Sequence, residues 1–158
     1  MNHISGPKRQ ARAMMLPLIA AAPLAAAAIA LPATAHAATD FNFHSPSGNI
    51  FCDMHMGDDG KSQATCITAD HNWVSPPRSR DCADNELWGD ALSLYQGEAG
   101  FQCYLRLPDD PTAGQTLHYG DTLANGTITC KSEPAGITCT DSGTGHFFRI
   151  ARESYQLA

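Results

Sequence analysis

Basic residues are scarce beyond the N-terminal segment, and this scarcity excludes one class of partner. Only seven Lys and Arg residues follow position 37, against sixteen Asp and Glu residues, so residues 38–158 carry a formal net charge of −9. Nucleic acids and anionic lipids are bound through clustered Lys and Arg side chains, and this part of the sequence has no such cluster. We therefore expect the protein to bind neither nucleic acid nor an anionic membrane.

Long apolar runs are also missing, except at the N-terminus. There Lys8, Arg9 and Arg12 precede an Ala-rich apolar run, 13–31, and the motif "ATAHA" follows it. A basic start, an apolar middle and small residues at the end are typical of a secretory signal peptide, which we expect to be cleaved after Ala37. Prolines interrupt the run, and Ala contributes little to bilayer insertion, so a transmembrane helix is the weaker interpretation.

Cleavage at that point would leave residues 38–158, a length suited to one compact domain. We expect residues 1–37 to be the signal peptide and 38–158 to be a single secreted domain with no membrane span after cleavage. No cysteine lies at the cleavage point, so a lipid anchor is not expected.

Closely spaced cysteine pairs of the C-x-x-C type are absent, which argues against a zinc site. The six cysteines all follow the predicted cleavage point and are Cys52, Cys66, Cys82, Cys103, Cys130 and Cys139. An even number of cysteines in an exported domain predicts three disulfides.

Two similar segments indicate how the cysteines pair. "GNIFCDM" (48–54) resembles "GTITCKS" (126–132), and "ATCITAD" (64–70) resembles "ITCTD" (137–141). A Gly-containing turn separates the two segments of each unit, which is typical of a β-hairpin. Folding each hairpin about its turn pairs Cys52 with Cys66 and Cys130 with Cys139, because cross-strand neighbours are close enough for a disulfide. The remaining pair, Cys82 and Cys103, follows by elimination.

Helical patterns are rare in the exported part, whereas short β-prone runs recur between Gly, Pro, Asn and Asp. This spacing predicts an all-β fold, a small sandwich or barrel of hairpins with three disulfides and little helix. Further strands are expected at 41–43, 71–74, 91–96, 99–105, 115–120 and 145–150. A turn or two of helix is expected at 84–94 or 151–157.

Two patterns could bind metal, but a structural interpretation is preferred for both: methionines that pack in the core, and a solvated turn. Met54, His55 and Met56 offer copper ligands, but alternate residues of a strand point to opposite faces, so the three cannot converge. The acidic turn "GDDGK" (57–61) lacks the alternating oxygen ligands and closing Glu of an EF-hand. We expect no metal and no cofactor.

The stretch "HSPSGNIFC" (44–52) raises the question of nucleophilic catalysis. Ser47 could be combined with His44 or His146 and an Asp, but the serine does not lie in a G-x-S-x-G elbow. The hairpin echo at 126–130 keeps the Gly, Ile and Cys of this stretch without its His and Ser. A structural turn leading into a strand is therefore preferred, and a small envelope hydrolase remains the alternative.

The motifs S-P-S-G-N-I-x-C and G-I-T-C followed by T-G-H, together with L-W-G and G-F-Q-C, resemble a family of small secreted actinobacterial proteins with a domain of unknown function. The resemblance runs from about Phe43 to Leu157, nearly the whole exported part. It implies secretion and a disulfide-stabilised domain, and it carries no activity or site residues. Phe147 is a departure, since the family pattern implies a glycine there.

We therefore predict a non-catalytic secreted domain that binds a protein or a cell-envelope component. A protein inhibitor is one version, by analogy of size and build with small disulfide-bonded lysozyme inhibitors, and the acidic charge would suit a basic target. A structural secreted module is a further alternative. The candidate interaction residues are Phe51, His55, His146 and Phe147.

Overall fold

Two β-sheets account for the regular structure in the computed structural model, which describes residues 40–106, 110 and 114–158. The predicted signal peptide and its cleavage point at Ala37 lie outside the described residues. None of the described residues is helical, and among them there is no helix with the length and apolarity to cross a membrane. The all-β prediction is confirmed.

The first sheet has six strands in the order β5-β4-β3-β2-β1-β6. All its neighbours are antiparallel except β1 and β6, which run parallel. The strands are β1 Asp40–His44, β2 Ile50–Met56, β3 Ser62–Thr68, β4 Ala91–Tyr95, β5 Glu98–Phe101 and β6 Gln115–Thr116.

The second sheet has five antiparallel strands in the order β11-β10-β9-β8-β7. They are β7 Thr122–Asn125, β8 Ile128–Glu133, β9 Gly136–Asp141, β10 Phe147–Ile150 and β11 Tyr155–Leu157. The two sheets pack face to face, and their inner side chains form one core.

Alternation along β2 shows how the sequence selects the inner face. Ile50, Cys52 and Met54 are buried, whereas Phe51 and His55 lie on the opposite face and are partly exposed. Successive side chains of a strand point to opposite sides, so apolar residues at every second position produce one buried face. This arrangement confirms that Met54 and His55 diverge.

Two disulfides meet at the centre of the core. Cys52 lies directly opposite Cys66 in the β2–β3 register, and Cys130 lies opposite Cys139 in the β8–β9 register. All four cysteines are fully buried. The Sγ atoms of Cys66 and Cys139 are 4.0 Å apart, so the two bridges contact each other across the interface between the sheets.

The third disulfide joins Cys82 to Cys103 outside the strands, and all three predicted pairings are confirmed. The strand predicted at 99–105 would include Cys103, but β5 ends at Phe101. Beyond β5 the chain leaves the sheet, and Tyr104 forms an isolated bridge with Leu87 instead.

Three predicted elements are wrong because tertiary contacts override local propensity. Residues 71–74 form a loop rather than a strand, and the indole N–H of Trp73 donates to the carbonyl of Ala151 at 3.0 Å. Residues 84–94 are not helical and contain the start of β4. Residues 151–157 end in β11, which pairs with β10. The strand predicted at 115–120 is limited to 115–116.

An aromatic cluster closes the gap between the sheet edges at β5 and β11. The ring of Tyr155 lies 4.9 Å from those of Trp73 and Phe101, and Trp88 lies 5.6 Å from Phe101. The two pairs made by Tyr155 are edge-to-face, and such pairs stabilise beyond the burial of their area. The loop between β3 and β4, which carries Trp73 and Trp88, is therefore held against the sheets by these aromatic contacts.

Ser132 provides a test of the core. Its side chain is fully buried, and its hydroxyl has no hydrogen-bond partner among the described residues. An unpaired buried hydroxyl is destabilising, so Ser132→Ala should raise the free energy of unfolding by about 1 kcal/mol. Ser62→Ala is the control, because the Ser62 hydroxyl accepts from the Thr127 N–H at 3.2 Å. Ser62→Ala should therefore lower the free energy of unfolding measured by urea titration. A free energy of unfolding lower than that of wild type for Ser132→Ala would contradict the assignment of an unpaired hydroxyl.

The three disulfides should differ in their resistance to reduction. Cys82 and Cys103 are only partly buried, whereas the other four cysteines are inaccessible. Thiol exchange requires access to the sulfur, so limited dithiothreitol should open Cys82–Cys103 first. Alkylation of new thiols followed by mass spectrometry measures the order. Equal labelling of all six cysteines at every time point would show that the core offers no protection.

Candidate binding cleft

Four turns meet at one end of the sandwich and border a cleft of about 420 Å³, which we call the end cleft. The turns connect β1 to β2, β6 to β7, β8 to β9 and β10 to β11, so both sheets contribute. The lining residues are Ser45, Ser47, Asn49, Ile50, Tyr119, Glu133, Pro134, Gly136, Ala151, Arg152 and Glu153.

The S-P-S-G-N turn forms one wall, and its hydroxyls organise the turn. Ser45 Oγ accepts from the Ile50 N–H at 3.1 Å and lies 3.0 Å from Ser47 Oγ. Ser47 Oγ in turn accepts from the Asn49 N–H at 3.3 Å. Gly48 has a φ of 71°, a conformation that glycine adopts without strain. The hydroxyls of Ser45 and Ser47 thus hold the turn that leads into β2.

Asn49 links this turn by hydrogen bonds to the end of β3 and to the residues that follow it. Its side-chain amide donates to the Thr68 hydroxyl and to the Asp70 carbonyl, both at 3.0 Å. The Asp70 carboxylate pairs with Arg152 at 2.7 Å, and Arg152 lies in the turn between β10 and β11. Since both side chains are more than half exposed, the ion pair orients Arg152 more than it stabilises the fold.

The hydrogen-bond partners of the His44 ring are a backbone carbonyl and a threonine hydroxyl. The ring is buried, with Nδ1 3.0 Å from the Ser45 carbonyl and Nε2 3.2 Å from the Thr116 hydroxyl. A carbonyl only accepts, so Nδ1 donates to it, and the Thr116 hydroxyl is the partner of Nε2. Both ring nitrogens are engaged by these neighbours.

His146 lies at the opposite end of the sandwich. It is exposed in the turn between β9 and β10, where its backbone carbonyl accepts from Asp141. That turn borders a different depression, shared with the turns after β2 and β4. The pairing of Ser47 with His146 that the sequence permits is therefore not formed.

The four predicted interaction residues do not form one surface. Phe51 and His55 lie on the outer face of the first sheet, while Phe147 lies on the outer face of the second sheet, next to His146. Phe147 is partly buried, and its backbone pairs with Ala158 through two hydrogen bonds, at 2.7 and 3.0 Å.

Side chains that could bind a metal converge at one place among the described residues, where two of the three already form a disulfide. The Sγ atoms of Cys82 and Cys103 and a Glu86 carboxylate oxygen lie within 4.8 Å of one another. Both sulfurs belong to a disulfide, so neither is a thiolate ligand while the bridge is intact. In the acidic turn, Asp59 accepts from the Lys61 N–H at 3.0 Å, as expected of a turn residue.

Sequence reasoning missed a polar network beside the aromatic cluster. Asp90 accepts from the Tyr104 hydroxyl and contacts His71 Nε2, both at 2.8 Å. His71 stacks on Trp73 at 3.6 Å, and its Nδ1 lies 2.9 Å from the Trp73 carbonyl. Burial, followed by the adjacent Asp90 carboxylate, raises the pKa of Tyr104. The four residues are spread over 34 positions in sequence, so no local motif could have shown the network.

Asp141 holds the turn that carries His146. It is buried at the end of β9, and its carboxylate accepts from the Gly143 N–H at 2.9 Å and from the Thr144 hydroxyl at 3.3 Å. The Thr127 side-chain hydrogen bond, with those from Gly143 and Thr144, lowers the pKa of Asp141 below its ordinary value of 3.8, and burial only partly opposes the shift.

The lowered pKa of Asp141 predicts a pH dependence. A carboxyl group with a depressed pKa stabilises the fold above the unfolded-state pKa, and this contribution is lost as the pH falls through the folded-state pKa. Asp141→Asn should therefore lower the free energy of unfolding at neutral pH, and the difference from wild type should shrink in acid. Urea titrations across that range measure it. A difference independent of pH would assign the effect to turn geometry alone.

The comparisons with known proteins place the chain in a family. Neither the curated proteins nor the solved structures contain a match. A family model described as "Family of unknown function" matches residues 23–158, a range that includes every described residue. This confirms the predicted resemblance to a domain of unknown function. The chain therefore belongs to the family of unknown function DUF6636.

Proposed function

We propose that the protein is a secreted, non-catalytic binding domain that holds a saccharide of the cell envelope in the end cleft. Three disulfides fit an extracellular protein. Binding sites commonly lie on loops that a rigid scaffold positions, and the end cleft has this construction.

The observation that carries the proposal is an exposed aromatic ring facing a polar cleft. Tyr119 is 49% exposed and lines the cleft together with Ser47, Arg152 and Glu153. A saccharide offers hydroxyls that donate and accept, and its ring has an apolar face. The guanidinium donates, the carboxylate accepts and the serine hydroxyl does both, while the tyrosine ring offers an apolar surface with a polar tip.

The size and the openness to solvent of the cleft also support a small polar ligand. Its volume of about 420 Å³ falls in the range of pockets that hold small molecules, roughly 300 to 1,000 Å³. Because the turns that form it are fixed by hydrogen bonds and by glycine conformation, the cleft is preformed. A preformed site loses little conformational entropy on binding.

The non-catalytic part of the proposal rests on how the hydroxyls are used. Ser45 and Ser47 bond to each other and to backbone N–H groups, and the His44 ring faces Thr116 and a carbonyl. A nucleophile needs a base within hydrogen-bond reach. This arrangement favours recognition over hydrolysis.

Cosedimentation with protein-free insoluble cell wall tests the proposal. Wild-type protein should pellet with the cell wall, and Tyr119→Ala should weaken its binding about tenfold, as loss of a central aromatic contact does. Tyr95→Ala is the matched control, because Tyr95 is also 49% exposed but lies at the opposite end of the sandwich.

Soluble cell-wall saccharide should compete with the pellet and release wild-type protein. Wild-type protein that stays in the supernatant, or equal losses from the two tyrosine variants, would overturn the proposal. Circular dichroism of both variants shows that their folds are intact.

A further inference from the structure

The outer face of the first sheet presents a second surface, at the end remote from the end cleft. It lies beside the turns that connect β2 to β3 and β4 to β5. We call it the acidic face, and its residues are Asp53, His55, Asp58, Asp59, Tyr95 and Glu98.

Strand register places these side chains together. His55 on β2 is opposite Gln63 on β3, and Tyr95 on β4 is opposite Glu98 on β5. Since Met54 and Leu94 are buried in the core, the neighbouring positions His55 and Tyr95 point outward. The His55 side chain is 40% exposed and Tyr95 is 49% exposed.

His55 separates two shallow depressions on this face. One is bordered by Asp53 and by Asp40 at the margin of the sheet. The other is bordered by Asp58, Asp59 and Tyr95. Carboxylates thus line both depressions, and an aromatic ring borders the second.

The charge of this face is strongly unbalanced. Its four carboxylates are accompanied by one histidine, which contacts Asp53 at 3.2 Å, and by Lys61 in the adjacent turn. Burial raises the pKa of Asp53, and the bond and charge of His55 only partly offset this effect. A cation placed beside Asp53 would relieve the cost of its partly buried charge.

A metal ion suits this face less well than a basic side chain. In the part of the chain that the structure describes, ligand atoms of three residues come within 4.8 Å only at Cys82, Glu86 and Cys103, which lie elsewhere. The carboxylates of the acidic face are spread along a sheet surface, an arrangement that matches several separate cations. Tyr95 adds a ring that can contact an ammonium or guanidinium group.

We propose that the acidic face docks a protein partner through clustered Lys and Arg side chains of that partner. Complementary charge would steer the encounter and fix its orientation, and the net charge of −9 beyond residue 37 would extend the attraction. The acidic face shares no residue with the end cleft, so each can be lost without the other.

Binding to labelled lysozyme, a basic secreted enzyme, tests the proposal. The mature protein should bind it at about 50 mM salt and release it as salt rises. Lysozyme whose lysines have been acetylated should bind far more weakly. The combined variant Asp58→Asn, Asp59→Asn and Glu98→Gln should raise the Kd about tenfold; the asparagine at position 59 can still accept from the Lys61 N–H.

The control variant has the same net charge but keeps the acidic face. It combines Asp81→Asn, Asp84→Asn and Asp121→Asn, three exposed carboxylates that belong neither to the acidic face nor to the end cleft, and should change the Kd less than about twofold. Equal weakening by the two triple variants would indicate attraction by net charge alone and overturn the proposal. Failure of wild type to bind lysozyme below about 100 µM would also overturn it.

The two tyrosines separate this proposal from the saccharide site. Tyr95→Ala should weaken lysozyme binding and leave cell-wall binding unchanged, whereas Tyr119→Ala should do the reverse. Loss of lysozyme binding in Tyr119→Ala but not in Tyr95→Ala would place the basic partner in the end cleft instead and refute the acidic face as its site.

Discussion

The contact between two disulfides at the centre of the sandwich is the constraint on which the remaining structure depends. Cys52–Cys66 locks β2 to β3, Cys130–Cys139 locks β8 to β9, and the bridges touch across the interface, with Cys66 and Cys139 sulfurs 4.0 Å apart. A slip of one residue in either hairpin would turn a cysteine toward solvent. The bridges therefore fix register within each sheet and, through their contact, the facing of one sheet on the other.

Register at the centre determines what each surface displays. With Cys52 and Met54 inside, Phe51 and His55 must lie outside, and the acidic turn that follows projects at one end. The S-P-S-G-N turn before β2 projects at the other end. The two proposed surfaces are thus opposite ends of one hairpin, and rigid strands hold them apart. If both proposals hold, this separation would let the saccharide and the basic protein bind at the same time.

Local patterns in the sequence predict the hairpins well, because a hairpin is specified by neighbours: alternation, a Gly-containing turn and facing cysteines. Features that join residues far apart in sequence are not predicted by local patterns. The parallel pairing of β6 with β1 joins residues about seventy positions apart, and the Trp73 loop depends on Ala151 and Tyr155. The last strand, Tyr155–Leu157, looks helical in isolation and becomes β structure only because β10 offers it an edge. The end cleft needs four turns, and only the turn containing Ser47 has a sequence that suggests a functional site.

The order of the disulfides has a consequence for how the protein is made. The cysteines pair in sequence order: the first with the second, the third with the fourth and the fifth with the sixth. In a chain that enters an oxidising compartment from its N-terminus, every thiol meets its partner before any later cysteine arrives. Native bridges can then form in order of appearance, and the exchange reactions that correct mispaired cysteines have little to repair.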